Sequence, residues 1–147
     1  CRRKFPDHIF QRFIQGREFS IDWYSDFSGR PRVLVPRERL FVRAGEVMVS
    51  RICLHPVVTE AVSKVGTVLK LRGPCTLQGF LSAEEKFYLT DVNLRFGSGF
   101  VHTIAAGADV SLLLHKELLG EEIPSLDAVE DGLMMTRFND GFFYNAG

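Results

Sequence analysis

Three polar side chains alternate along one stretch of the chain in a pattern that could hold a metal ion and a phosphate. Asp91, Asn93 and Arg95 lie two residues apart, so on a β-strand they project to one face, and the even-numbered residues 88–96 project to the other. Carboxylate and carboxamide oxygens suit Mg²⁺, and an arginine can pair with a phosphate. A hairpin would bring Gln78, on the preceding strand, near the same face. The pattern is compatible with a magnesium site, but a solvent-facing strand with an idle polar side shows the same alternation, and the spacing alone does not decide between them.

A second group of charged residues lies nearer the start of the sequence. Glu18 begins a predicted strand after Gly16, from where its carboxylate could accept hydrogen bonds from sugar hydroxyls. The basic residues Arg37, Arg39 and Arg43 follow further along the chain. They surround Glu38 and Glu46, and this pattern is typical of a solvated edge strand that uses charge to oppose aggregation.

Other catalytic patterns find no support. The chain has four histidines, none with ligand spacing, and we expect each to be a core or surface histidine: His8, His55, His102 and His115. Ser98 does not meet the GxSxG pattern of a nucleophile turn. Gly97 and Gly99 beside it would let the backbone approach a ligand closely. Neither GxGxxG nor GxxxxGK[ST] occurs, so neither a Rossmann nor a P-loop site is supported.

The elements that must position these residues are mainly strands. Alternation predicts strands over residues 9–14, 18–24, 33–42 and 47–52, and a hairpin of 76–81 with 87–96. Neighbouring strands in such a run pair in an antiparallel manner, as in a meander.

Helical periodicity appears in two places. Apolar residues recur on one helical face from Val57 to Leu69, with Pro56 suited to the first turn. A second helical segment over residues 101–120 breaks near Gly107, with Asp109 as N-cap. Gly120 is its predicted C-cap, and the last run, residues 134–144, is predicted to be a strand or a segment docked on the sheet.

Composition bounds the class of protein. The chain has 147 residues, of which 46% are hydrophobic, enough for one domain with a proper core. Eighteen basic residues balance eighteen acidic ones, which predicts no nucleic-acid or membrane partner. Cys1, Cys53 and Cys75 form no CxxC pair, so we expect neither disulfides nor zinc, and a cytoplasmic location. Because the chain starts at Cys1 without an initiator Met, we interpret it as an excerpt of a longer protein.

The sequence resembles the ATP-grasp superfamily, most closely proteins similar to the large subunit of carbamoyl phosphate synthase. The resemblance covers residues 8–120, where five blocks match in order. They are Ile9–Asp22 for the adenine hinge and its strand, Val35–Glu46 for the next hairpin, Leu71–Phe80 and Asp91–Gly99 for the two metal-bearing strands, and Ala105–Asp109 for the start of the helical close.

The resemblance implies a nucleotide site. The backbone around Phe13 and Ile14 would bind the adenine of ATP, and Glu18 would accept hydrogen bonds from the ribose hydroxyls. In the family, a carboxylate substrate takes the γ-phosphoryl group of ATP, and an amine or similar nucleophile then attacks the acyl phosphate.

The resemblance also implies the ligands of Mg²⁺ (or Mn²⁺) and the residues that meet phosphate. Gln78, Asp91 and Asn93 would hold the metal, and Arg95 and Arg43 would act on the phosphate or acyl phosphate. Such transfer depends on positioning and charge neutralisation, which suits a site with few acid–base residues.

Three departures from the family pattern bear on activity. Asp91 stands where the Glu-x-Asn-Pro-Arg motif usually has Glu, and Leu94 replaces its Pro. The glycine-rich loop and lysines of the preceding subdomain do not occur in this sequence. We therefore expect that the chain alone does not turn over ATP and that the missing N-terminal ATP-grasp subdomain is its partner.

These observations predict an α+β fold, a mainly antiparallel sheet with helices packed on one side, as the C-terminal subdomain of an ATP-grasp domain. Residues 1–147 form one domain in this interpretation, a partial ATP-grasp domain. The predicted function is ATP- and Mg²⁺-dependent activation of a small carboxylate in a longer ligase. The alternatives are a non-catalytic nucleotide-binding or structural remnant, and an interaction module without nucleotide.

Overall fold

The computed structural model of the chain describes residues 4, 7–124, 128–138 and 143. Its elements in chain order are β1 Gly16–Ser25, β2 Pro31–Arg43, β3 Glu46–Ile52, α1 Pro56–Leu69, β4 Gly73–Ser82, β5 Phe87–Asn93, α2 Phe100–Ala105, α3 Val110–Leu118 and β6 Met134–Thr136. None of these helices is long and apolar enough to cross a membrane.

The strands form one six-stranded sheet in the order β5-β4-β1-β2-β3-β6, and each neighbouring pair is antiparallel. The α+β class and the antiparallel sheet predicted from the sequence are confirmed. Because β4 joins the far side of β1 after the crossover through α1, β1 lies inside the sheet. Strand β2 lies inside it too, between β1 and β3.

Strand β1 separates two hydrophobic cores by alternation. Phe19, Ile21 and Trp23 project to one face, where Val58 and Val62 of α1 pack against them. We call this the α1 face. The intervening residues project to the opposite face, which we call the Glu18 face after the first of the set Glu18, Ser20, Asp22 and Tyr24.

The Glu18 face carries the second core. Tyr24 and Val35 pack there with Phe100 of α2 and with Val110 and Leu113 of α3. The helices, expected on one side of the sheet, are thus divided between its two faces, and α2 and α3 cover only part of the Glu18 face.

Local signals in the sequence agree with the helices and disagree with the structure at one predicted strand. Helix α1 begins at Pro56 as predicted, and Asp109 caps α3 by accepting a hydrogen bond from the Leu112 amide at 3.0 Å. Residues 9–14 are not a strand: β1 begins at Gly16 opposite Ser82, the last residue of β4, so the segment before it has no β4 partner. The final run forms a strand over Met134–Thr136, and its residues 139–142 and 144 lie outside the described part of the chain.

Helix α1 rests on Trp23 through Gly66. A Cβ atom on Gly66 would lie 2.3 Å from the indole ring of Trp23, which is buried. In an exposed helix Gly66→Ala would stabilise the protein by about 1 kcal/mol. Here the overpacking against Trp23 should cost about 1–3 kcal/mol, so we expect the substitution to be destabilising. We expect a lower midpoint of urea unfolding for Gly66→Ala and no decrease for Ser63→Ala on the exposed side of α1. A higher midpoint for Gly66→Ala would contradict this packing.

Candidate functional site

Four of the residues singled out from the sequence lie on the Glu18 face of three adjacent strands. Gln78 of β4 pairs with Ser20 of β1 on one side and with Asp91 of β5 on the other. Directly paired positions share a face with Cβ atoms roughly 5 Å apart. Asn93 follows two residues after Asp91 and therefore shares the face with Glu18 and Gln78. The structure brings these side chains together, as the hairpin prediction required.

The carboxylate of Asp91 is exposed and organised by its own strand. Its Oδ2 accepts a hydrogen bond from Asn93 Nδ2 at 2.6 Å, and its Oδ1 accepts one from the amide of Val92 at 2.9 Å. In the described ranges there is no group of three or more His, Cys, Asp or Glu side chains that could hold a metal. The donors at this point are one carboxylate and the carboxamides of Gln78 and Asn93, which are oxygen ligands that Mg²⁺ accepts.

A β-bulge at Thr90 changes which side chains accompany Asp91. The pairing of β4 with β5 slips by one residue there, and Tyr88 on the other side of the bulge pairs with Phe80. Because Phe80 shares the Glu18 face, Tyr88 does too. The prediction that the even-numbered residues 88–96 oppose Asp91 is therefore wrong for Tyr88, since a bulge resets the period of two.

A cavity of about 330 Å³ opens beside this aromatic pair. Its lining consists of Gln11, Arg12, Phe13, Ile14, Phe80, Tyr88, Leu89 and Thr90. It adjoins Glu18, because Phe80 pairs directly with Glu18 in the β1–β4 ladder. Phe13 and Ile14, singled out for a nucleobase, thus line a concave and largely apolar site with a carboxylate at its border.

Glu18 is held by an arginine of the neighbouring strand. Arg39 Nη1 donates to Glu18 Oε1 at 2.5 Å, and Arg39 Nη2 donates to the carbonyl oxygen of Gly45 at 3.0 Å. The second oxygen of Glu18, Oε2, has no hydrogen-bond partner among the described residues. One side of this carboxylate remains available to a hydroxyl donor.

The two arginines assigned to phosphate lie at the margins of the face. Arg43 is exposed at the end of β2, opposite Glu46 in the β2–β3 hairpin. Arg95 follows the end of β5, so strand alternation does not fix its direction, and its Nη1 donates to the carbonyl oxygen of Phe96 at 3.1 Å. Neither guanidinium forms a salt bridge within the described part of the chain.

The segment after β5 turns over the Glu18 face instead of continuing the strand. Thr76 Oγ1 donates to the carbonyl oxygen of Arg95 at 3.3 Å. A Cβ atom on Gly97 would lie 2.7 Å from Thr76 Oγ1, and one on Gly99 would lie 2.2 Å from Arg37 Nη1. These glycines allow a close approach of the backbone to the protein's own sheet, where the sequence had suggested an approach to a ligand.

Arg37 forms a buried ion pair beneath this segment. Its Nε and Nη2 donate to the two carboxylate oxygens of Asp22 at 2.7 and 2.9 Å, with side chains 1% and 0% exposed. Thr103 of α2 donates its hydroxyl to Asp22 Oδ2 at 2.5 Å. The interpretation of a solvated edge strand is wrong for Arg37 and Arg39, because β2 has a partner strand on each side.

His102 is a core histidine, as expected from its isolation in the sequence. Its Nδ1 lies 2.9 Å from Ser50 Oγ and its Nε2 lies 3.1 Å from the carbonyl oxygen of Leu133. Burial lowers the pKa of His102, which favours the neutral ring. It joins α2 to β3 and takes no part in the exposed site.

Solved structures with this architecture include carboxylases and a ribonucleotide synthetase. A biotin carboxylase from Campylobacter jejuni in complex with β,γ-ATP superposes with a TM-score of 0.65 at 17% identity, over 84% of this chain and 30% of that one. An N5-carboxyaminoimidazole ribonucleotide synthetase in complex with ADP gives 0.66 at 16%, over 80% and 33%. A pyruvate carboxylase from Rhizobium etli gives 0.62 at 20%, over 76% and 12%. The chain spans a third or less of the length of these structures, and the likeness at this identity is one of fold.

The fold and the match to a family model place the chain in the ATP-grasp superfamily. Residues 4–140 match the family described as ATP-grasp in the biosynthetic pathway with Ter operon, and the chain belongs to that family. No curated protein matches the chain significantly. The narrower resemblance to carbamoyl phosphate synthase stays a prediction.

Sequence reasoning missed three contributors to the face. Tyr88 was missed because nothing in the sequence marks the bulge, and Arg39 because its pairing with Glu18 depends on the β1–β2 register. Asp22 could have been found: it alternates with Ser20 and Glu18 along β1, and a buried carboxylate requires a cationic partner.

Proposed function

We propose that this chain forms one wall of the ATP site in a longer ligase, which activates a small carboxylate as its acyl phosphate for attack by an amine or similar nucleophile. One observation carries the proposal: Glu18, Gln78, Asp91 and Asn93 share one face of three adjacent strands, next to a cavity lined by the predicted adenine hinge. A sheet face whose polar side chains had no function would not require a concave apolar site beside it.

Different residues of the Glu18 face bind different parts of the nucleotide. The cavity at Phe13 and Ile14 takes the adenine, and Glu18 Oε2 accepts a hydrogen bond from a ribose hydroxyl at the border of that cavity. The phosphates then extend toward Gln78 of β4 and Asp91 of β5, which lie on the same face. Gln78 and Asp91 lie next to the cavity along β4 and β5, and Glu18 lies next to it on β1, so all three groups are within reach of one nucleotide.

Gln78, Asp91 and Asn93 would hold Mg²⁺, with the phosphates completing its ligands. When bound, the ion neutralises charge on the transferring phosphoryl group. Arg95 and Arg43 are the cations without carboxylate partners that we assign to the phosphate or acyl phosphate. The opposite wall, with its glycine-rich loop and lysines, is proposed to come from the N-terminal ATP-grasp subdomain of the longer protein.

The structural neighbours support the nucleotide part of this proposal. The biotin carboxylase is described as a β,γ-ATP complex and the synthetase as an ADP complex. The carboxylate, the nucleophile and the use of Mg²⁺ rest on the family resemblance and on the oxygen donors of Gln78, Asp91 and Asn93.

A nucleotide with and without ribose hydroxyls tests the assignment of Glu18. Glu18→Ala in the full-length protein should weaken Mg·ATP by about 10- to 100-fold, as expected for a hydrogen bond to a charged group. Mg·2′,3′-dideoxy-ATP has no such bond to lose, so its affinity should change little. Calorimetric titration of both nucleotides measures the difference.

Two other results would redirect the proposal. Equal losses for both nucleotides would remove the ribose assignment. Tight binding of ATP without turnover under any carboxylate and amine supplied would favour a non-catalytic nucleotide-binding domain. The shorter carboxylate at Asp91, with one oxygen already bonded to Asn93, supports that second candidate.

A further inference from the structure

Arg39 contacts two parts of the candidate site, Glu18 of β1 and the turn of the β2–β3 hairpin, that are far apart in the sequence. Its guanidinium lies between the carboxylate of Glu18 and the turn of the β2–β3 hairpin, donating to Glu18 Oε1 at 2.5 Å and to the Gly45 carbonyl at 3.0 Å. Arg39 is nearly buried, whereas Glu18 is about one-third exposed. A buried guanidinium thus supports a carboxylate that faces solvent.

The hairpin turn held by Arg39 also carries Arg43. Ala44 and Gly45 form the turn with φ angles of 50° and 82°, the left-handed pair that a two-residue hairpin requires. Pairing of β2 with β3 is irregular on both sides of Phe41, and such irregularities bend a strand. Arg39 donates to the carbonyl oxygen of Gly45, six residues further along the chain. The tip of the hairpin therefore lies on the same side of the sheet as Glu18 and Arg39.

We propose that Arg39 is a positioning residue that neutralises Glu18 for nucleotide binding and couples it to the hairpin that presents Arg43. The inference rests on the proposed function, since it requires ATP on the Glu18 face. It adds a residue to which neither the sequence pattern nor the family resemblance assigns a role.

Charge explains why Glu18 needs this partner. A carboxylate that accepts a ribose hydroxyl lies within reach of the field of a triphosphate, and two like charges repel unless a cation offsets one of them. The Arg39 contact at 2.5 Å supplies that cation while leaving Glu18 Oε2 free for the hydroxyl. ATP should therefore depend on Arg39 more strongly than an uncharged nucleoside does.

Geometry explains why the partner is an arginine. The planar fork of a guanidinium can donate in two fixed directions, here to a side chain of β1 and to a main-chain carbonyl of the hairpin. A lysine keeps the charge but cannot reproduce both bonds in fixed directions. Arg39→Lys should preserve much of the ATP affinity and lower turnover, because Arg43 is then less well placed.

The experiment is a double-mutant cycle in the full-length protein. Calorimetry measures dissociation constants of Mg·ATP and of adenosine for wild type, Arg39→Met, Glu18→Gln and the double variant. Arg39→Met should weaken Mg·ATP by about 10- to 100-fold and adenosine by much less. Adding Glu18→Gln should restore part of the Mg·ATP affinity, because the uncompensated charge is removed.

The matched control is another arginine–glutamate pair between neighbouring strands, here β3 and β2. Arg51 Nη2 donates to Glu38 Oε2 at 2.6 Å, and Glu38 also accepts two bonds from Arg17 and lies on the α1 face. Arg51→Met should leave both dissociation constants unchanged. A loss of the same size in this control would assign the effect of Arg39→Met to general weakening of the sheet.

The outcomes separate this inference from the proposed function. Wild type that does not bind Mg·ATP overturns both. Wild type that binds Mg·ATP and loses affinity with Glu18→Ala, but not with Arg39→Met, overturns the role of Arg39 alone. Equal losses of Mg·ATP and adenosine, with no rescue by Glu18→Gln, would likewise make Arg39 merely structural. If Arg39→Met does not fold, Arg39→Lys decides: unchanged turnover would end the coupling to Arg43.

Discussion

Full-length protein carrying Asp91→Asn is expected to turn over about 10²-fold more slowly than wild type and to require more Mg²⁺ for half-maximal rate. The substitution keeps the shape of the side chain and removes the charge that attracts a divalent ion. It leaves Gln78 and Asn93 as neutral donors on the same face. The unfolding midpoint should change little, because Asp91 is exposed. Magnesium titrations of ADP formation measure the expected shift.

Glu84 provides a control for net charge in the same hairpin. It is exposed in the turn between β4 and β5, so Glu84→Gln removes an equal charge from the hairpin and leaves Gln78, Asp91 and Asn93 unchanged. Its magnesium requirement should equal that of wild type. Unaltered rate and magnesium dependence in Asp91→Asn would sink the metal assignment, and an unfolded Asp91→Asn protein would make Asp91 a structural partner.

The part of the fold predicted correctly rests on period. Alternation predicted the strand β1, and a repeat of apolar residues after Pro56 predicted α1; in the structure Phe19, Ile21 and Trp23 of β1 pack against the apolar face of α1. Both signals are local, since each depends on one element meeting one apolar surface. The hairpin of β4 and β5 is also local, because a short turn brings its strands together, and it put Gln78 beside Asp91.

The features that the sequence could not predict depend on long-range register. The bulge at Thr90 moved Tyr88 to the Glu18 face although no residue type marks it. Residues 9–14 alternate like a strand but extend past the end of β4, so composition alone misassigned them. No single segment determines the strand order, so the sequence pattern predicted a solvent-exposed Arg37. In the structure β2 lies between two strands, and Arg37 pairs with Asp22, fifteen residues away in the sequence.

Asp22→Asn is expected to destabilise the protein by about 3–5 kcal/mol, a large part of the stability of a domain this size. The carboxylate takes both bonds from Arg37 and one from Thr103 at full burial. An amide in its place leaves a buried guanidinium without a counter-charge. Since Arg37 Nη1 already has no hydrogen-bond partner in the described residues, little nearby can compensate. Urea unfolding at constant m-value measures the loss.

Arg37→Met combined with Asp22→Asn should cost less than the sum of the two single substitutions, because the double variant buries no net charge and the residues are in contact. The Lys64–Glu60 pair of α1 is the matched control: its contact of 2.6 Å is as short as the 2.7 Å of Arg37–Asp22, but its side chains are 73% and 69% exposed. Lys64→Met should not shift the unfolding midpoint, because water already screens that pair. If Asp22→Asn also left the unfolding midpoint unchanged, the Arg37–Asp22 pair would not be what holds Gly99 and α2 against the sheet. The position of the segment that carries Arg95 would then need another cause. A large loss in Asp22→Asn with none in Lys64→Met would show that burial, at equal distance, decides which ion pair holds the candidate site in place.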